Sequence, residues 1–123
     1  MEFFHLKELV NDFSKENILD YVKVLNCLRN IYNKEYELIF LLENFKEFIK
    51  SLPSTINIYV IKENDKIVGS GSLVIEKNIS QDIRIGHIED INILNKQGFY
   101  EEKLILFLKG KATEFNCSKV VFS

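Results

Sequence analysis

The stretch Gly86-His87-Ile88-Glu89-Asp90-Ile91 decides how this sequence is read. It sets two adjacent carboxylates in a run whose apolar positions are Ile83, Ile85, Ile88, Ile91 and Ile93. A run so rich in β-branched residues reads as a strand with at least one face in the core. Glu89 or Asp90 is therefore expected close to that core, and burial disfavours the charged form of a carboxyl group, which is one way proteins fit such groups for proton transfer. The plain alternative is a strand whose acids face solvent or pair with lysine.

Upstream of this strand, Ile56, Ile58 and Val60 alternate, Glu63-Asn64-Asp65-Lys66 carries turn chemistry, and Ile67-Val68 opens a returning arm that runs on through Leu73-Val74-Ile75. The unit reads as a β-hairpin. After a polar connection over 76–82, the acid-bearing strand from Arg84 to Leu94 becomes the third consecutive antiparallel strand. Downstream, Leu104, Ile105, Leu108, Ala112 and Phe115 mark a helix, and Lys119-Val120-Val121-Phe122 a final strand. A strand-helix-strand crossover makes the acid strand and the last strand parallel neighbours. At the N-terminal end, Phe3, Phe4 and Leu6 form a short opening strand. Ser14 then caps a helix carrying Ile18, Tyr21, Val22, Leu25 and Leu28, and Asn33 caps a second one carrying Leu38 to Ile49, which ends before Pro53.

At 123 residues the chain is one domain, large enough for a single core, and with 46% hydrophobic residues, Phe 10 and Tyr 5 that core is expected to be rich in Phe and Ile. A net charge of −2 offers no broad cationic surface, so binding to nucleic acid through phosphate neutralisation has no electrostatic basis, and no polybasic membrane patch is present. No segment approaches the ~18 apolar residues of a membrane span. Cys27 and Cys117 fit no metal-ligand spacing and read as reduced, buried small residues, which suits an intracellular compartment.

Four matched segments carry a family resemblance. They are Ile67-Val68-Gly69-Ser70-Gly71-Ser72-Leu73-Val74-Ile75-Glu76-Lys77, Gly86-His87-Ile88-Glu89-Asp90-Ile91, Gln97-Gly98 ahead of a helix, and Asn116-Cys117-Ser118-Lys119-Val120-Val121. In that order the chain resembles the GNAT superfamily of N-acetyltransferases, and more closely the eukaryotic glucosamine-6-phosphate N-acetyltransferases. The resemblance is good over residues 56–123 and thin over the N-terminal helices. It implies an α/β (α+β) acyl-CoA N-acyltransferase fold: a mixed, mostly antiparallel sheet flanked by helices in one domain spanning 1–123. It also implies transfer of an acetyl group from acetyl-CoA to the 2-amino group of glucosamine 6-phosphate, a cytoplasmic step toward UDP-N-acetylglucosamine, with no metal.

By the same resemblance Glu89 accepts the proton that the ammonium must lose before it attacks the thioester, while Asp90 serves the sheet or holds the amine through its backbone carbonyl. The backbone of Ile91, Asn92 and Ile93 pairs with the pantetheine arm, and Asn26 falls where the family's first helix approaches the sugar phosphate. His87, alternating with Ile88 on the acid strand, is a candidate to hydrogen-bond the substrate. His87 has a plain structural alternative. The family's phosphate-binding glycine loop corresponds to Gln97, Gly98, Phe99, Tyr100, Glu101 and Glu102, where only the first glycine is kept. The acids there either oppose the CoA diphosphate or simply suit the positive end of a helix. The family continues past the strand that ends at Phe122 with a tyrosine that protonates the leaving thiolate and with further strands. The fold is thus expected to be truncated after the fifth strand, leaving Val120-Val121-Phe122 as an edge that invites a homodimer. Three functions follow: the amino-sugar acetyltransferase, a catalytically impaired pseudoenzyme acting as a dimerising or CoA-binding module, and an N-acetyltransferase for another amine.

Overall fold

In the computed structural model of the chain, which describes residues 1–9, 11, 16–17, 21, 44, 46–94 and 98–122, the expected sheet is present. Its strands are β1 (Glu2–His5), β2 (Ile56–Glu63), β3 (Lys66–Asn78), β4 (Ile83–Ile93) and β5 (Lys119–Phe122), joined side by side in chain order. Helix α1 (Leu6–Leu9) follows β1, and α2 (Gly98–Glu114) links β4 to β5. The first four strands pair antiparallel, while β5 lies parallel to β4 with Ile85 opposite Lys119 and Ile88 opposite Phe122.

The turns follow from their residues. Asn64 and Asp65 join β2 to β3 with φ of 51° and 63°, the left-handed pair that a tight hairpin turn demands and that Asn and Asp tolerate best. Helix α2 ends in a double cap. The Cys117 N–H donates to the Ala112 carbonyl at 2.9 Å and the Asn116 N–H to that of Thr113 at 3.0 Å, with Asn116 left-handed at φ 61°. The next amide, Ser118, donates to the Arg84 carbonyl at 2.8 Å, so the cap delivers the chain straight into the parallel pairing with β4.

Each face of the sheet is covered. On one side Leu104, Leu108 and Ala112, a stripe at helical spacing along α2, close over Tyr59, Ile61, Leu73, Ile88 and Ile93. On the other side Leu6, Tyr21 and Ile49 pack with Val60 and Ile67. Residues 46–51 are helical and stop before Pro53, as expected. Leu6 opens α1 instead of closing the first strand, and the hairpin arm and acid strand run to Asn78 and from Ile83. The buried apolar core among the described residues is Ile, Leu, Val, Tyr and Ala; no Phe belongs to it, and Phe3, Phe107 and Phe115 line its rim. The helix caps expected at Ser14 and Asn33, and Cys27, lie outside the described residues. Among the described residues no helix is long and apolar enough to cross a membrane.

Candidate active site

The acid pair sits at a break in the β3–β4 ladder. Ser72 lies opposite Glu89 and Ser70 opposite Asn92, so Asp90 and Ile91 together face the single residue Gly71. That two-against-one count is a β-bulge. Asp90 carries it with φ 52°, and the Asn92 Nδ2 donates to the Asp90 carbonyl at 2.9 Å, which holds the bulge closed from within the strand. The bulge resets which side chains face which way. Ile88, Ile91 and Ile93 all pack on the α2 side, although a regular strand would put Ile88 opposite the other two.

The expectation that Glu89 or Asp90 lies close to the core is therefore narrowed to Glu89. Asp90 is exposed and Glu89 only half-buried. The isoleucines that seemed to surround them turn instead toward α2 once the bulge has absorbed one residue. The Asp90 carbonyl, expected to hold an amine, accepts the Asn92 amide.

Cross-strand pairing gives Glu89 its neighbours. Ser70, Ser72 and Asn92 are buried polar side chains of the face away from α2, and Ser72 is the direct partner of Glu89. His87, two residues before Glu89 on the same face, has its Nε2 3.5 Å from Glu76 Oε1. The structure thus joins His87, Glu89 and Asn92 in one polar row, while Asn26 and Gln97 lie outside the described residues. Ser70 and Ser72 were not singled out from the sequence. The signal lay in Gly69-Ser70-Gly71-Ser72, small residues opposite an acid. The glycines between these serines serve packing. A Cβ on Gly71 would stand 2.7 Å from Ile91 Cδ1 and 3.1 Å from both Leu104 Cδ2 and Leu108 Cδ1, so Gly71 lets α2 approach the bulge.

The outer edge of β4 matters as much as its faces. Strand β5 pairs with β4 only as far as Ile88, so no strand of the described sheet lies along the outer side of Ile91, Asn92 and Ile93. An extended chain with amide groups can pair there in the manner of an added strand. The first turn of α2 follows at Gly98. Gly98, Phe99, Glu101 and Glu102 are exposed, and the half-buried Tyr100 hydroxyl donates to Glu63 Oε2 at 3.4 Å. Glu63 also meets the amine of Met1 at 3.4 Å.

Two other features stand apart from the acids. A cleft of 440 Å³ lined by Lys77, Asn78, Asp82, Arg84, Asn116 and Ser118 lies at the opposite end of β4 and includes neither Glu89 nor Asp90. Burial pushes the half-buried Cys117 thiol up, against a smaller opposing effect of Arg84, which does not favour a thiolate nucleophile. Among the described residues no group of three or more His, Cys, Asp or Glu is gathered for a metal ion.

A mixed sheet with a bulged, acid-bearing fourth strand, an open edge beyond it and a crossover helix is the fold of the GNAT acetyltransferases. Solved structures bear this out. A Trypanosoma brucei acetyltransferase superposes with a TM-score of 0.64 at 20% identity, over 99% of this chain and 81% of its own. Glucosamine-6-phosphate N-acetyltransferase from Arabidopsis thaliana gives 0.62 at 23% identity, over 100% and 82% of the two chains. A GNAT family acetyltransferase from Staphylococcus aureus gives 0.70 at 13% identity, over 100% and 87%. No protein-family model matches the sequence, and no curated protein matches it.

Proposed function

We propose that the chain is an N-acetyltransferase whose acceptor is the 2-amino group of glucosamine 6-phosphate and whose donor is acetyl-CoA. The observation that carries the reading is the half-buried Glu89, set beside a bulge and two residues ahead of the strand edge left open at Ile91–Ile93. A thioester arm pairing along that edge would end near Glu89. There the carboxylate takes a proton from the incoming ammonium, directly or through one water. The freed amine attacks the thioester carbonyl, the N–C bond forms and the C–S bond breaks; the nitrogen gives up its second proton as the amide forms, and the leaving thiolate takes up one through water. Ser72 and Asn92 hold the acid and the bulge in place, and His87 supplies a ring nitrogen for the sugar phosphate.

A thiol-release assay with acetyl-CoA and glucosamine 6-phosphate tests this. Glu89→Gln is expected to lower the rate roughly 10²–10⁴-fold, the usual contribution of a positioned base. A wild-type rate no greater than that of the variant would sink the reading. Other amines presented in the same assay decide whether the acceptor is a different one.

The reading carries a cytoplasmic setting and a homodimer with it. The β5 edge supports the latter, because Phe122 is 52% exposed at the rim of an apolar strand. Sedimentation velocity is expected to show a two-chain particle for the wild type and a single chain for Val121→Lys. A single chain for both removes the dimer and leaves the chemistry standing. A non-catalytic module is favoured only if the thiol assay is silent while the dimer persists.

A further inference from the structure

An anion such as a diphosphate is held at a helix start by bare backbone N–H groups, by glycines that let it approach them, and by the positive end of the helix dipole. The start of α2 fits this poorly. It offers one glycine, Gly98, with open space beside it. The next residues carry side chains. Tyr100 is drawn toward the β2–β3 hairpin, its hydroxyl bonded to Glu63 Oε2 at 3.4 Å. Partial desolvation and then the Glu63 carboxylate hold the Tyr100 phenol above its ordinary value, which keeps it the donor in that bond.

Charge points the same way. Glu101 and Glu102 are exposed on the first turn, and the Glu63 carboxylate lies beside Tyr100. Of the described cations nearby, the Met1 amine is engaged by Glu63 at 3.4 Å, and the Lys103 Nζ sits over the Phe99 ring at 5.6 Å from its centroid. Each unit charge within ~6 Å of a diphosphate of the same sign weakens its binding about threefold in water, and more where water is excluded. The edge of β4 at Ile91–Ile93 has no such quarrel with its ligand, since the amides of a pantetheine arm are neutral.

We infer that this chain recognises its acyl donor through the pantetheine arm and not through the diphosphate-nucleotide end. Tyr100, Glu101 and Glu102 set that preference, so an acetyl-pantetheine thioester that lacks the diphosphate-nucleotide end is also a substrate. The inference rests on the acetyl-transfer reading and specifies its donor.

The test compares acetyl-CoA with S-acetylpantetheine on the full chain, with glucosamine 6-phosphate as common acceptor. The two values of kcat/KM are expected to agree within about threefold, and the acetyl-CoA to acetylpantetheine ratio to rise several-fold between roughly 20 and 200 mM salt as repulsion is screened. The Glu101→Gln/Glu102→Gln double variant is expected to move the same ratio about tenfold toward acetyl-CoA at low salt. Because both donors are measured on one protein preparation, a loss of folded material lowers both rates and leaves the ratio alone. A preference for acetyl-CoA above ~100-fold that shrinks with added salt would overturn the inference and leave acetyl transfer standing. So would a ratio unmoved in a double variant of wild-type circular dichroism. If that variant does not fold, the salt profile of the unmodified chain decides. Turnover of neither donor overturns both the inference and the reading beneath it.

Discussion

At Asp90 the backbone takes φ 52°, a conformation that costs most side chains about 1–2 kcal/mol and glycine almost nothing. Asp90→Gly is therefore expected to leave stability within ~0.5 kcal/mol, while Asp90→Val loses about 1–2 kcal/mol in denaturant unfolding. Asn92 is 4% exposed and its amide holds the Asp90 carbonyl, so Asn92→Ala removes a part-buried hydrogen bond and is expected to cost about 0.5–1.5 kcal/mol. At Tyr59, burial first, then Glu114 and Glu8, push the phenol up to about 12 from 10.0. The folded state then holds this proton more tightly than the unfolded one. Its contribution is complete below pH 10 and falls away as pH rises from about 10 to about 12, by roughly 2–3 kcal/mol. Stability measured across that window is expected to fall less steeply in Tyr59→Phe. A slope equal to the wild type's would contradict the assignment.

Between elements, the distance from α2 to the sheet is set by the smallest residues on each side. A Cβ on Gly86 would meet the Cβ of Ala112 at 3.3 Å, Cys117 Sγ at 3.3 Å and Leu73 Cδ1 at 3.2 Å. The Ala112 Cβ has no rotamer to yield, whereas the methyl ends facing Gly71 do. Gly86→Ala is accordingly expected to destabilise by about 1–3 kcal/mol through overpacking. Removing bulk from the same seam costs more: Leu108 is 0% exposed, and Leu108→Ala is expected to lose about 2–5 kcal/mol through the cavity it leaves. Equilibrium unfolding in urea measures both. Helix α2 itself was legible from its stripe, but its cap was not. Asn116 and Cys117 close the helix through backbone bonds to Thr113 and Ala112, and no side-chain pattern announces that geometry.

Across the whole molecule, local signals carried the order of the elements. Period-two alternation in Ile56-Asn57-Ile58-Tyr59-Val60, turn residues at Asn64-Asp65, and a helical stripe ending where a strand begins fix a hairpin, a third strand and a parallel crossover, because each depends on neighbours in sequence. The polar network behind the first strand was not legible. The Lys7 N–H donates to His5 Nδ1 at 3.1 Å, so the ring presents its Nε2 proton to Asn57 Oδ1 at 3.0 Å, across 52 positions of chain. The acids show the same division. Sequence by itself determined that Glu89 and Asp90 lie on a strand, in a setting that resembles an acetyltransferase. Only the tertiary structure decided that one extra residue bulges opposite Gly71, turning Ile91 and Ile93 onto α2 and leaving Glu89 half-buried beside Ser72 with Asp90 at the surface. The reason is that a bulge is a property of two strands in register. The residues opposite Glu89 and Asn92 come from β3, and alternation along β4 alone cannot say where that register slips.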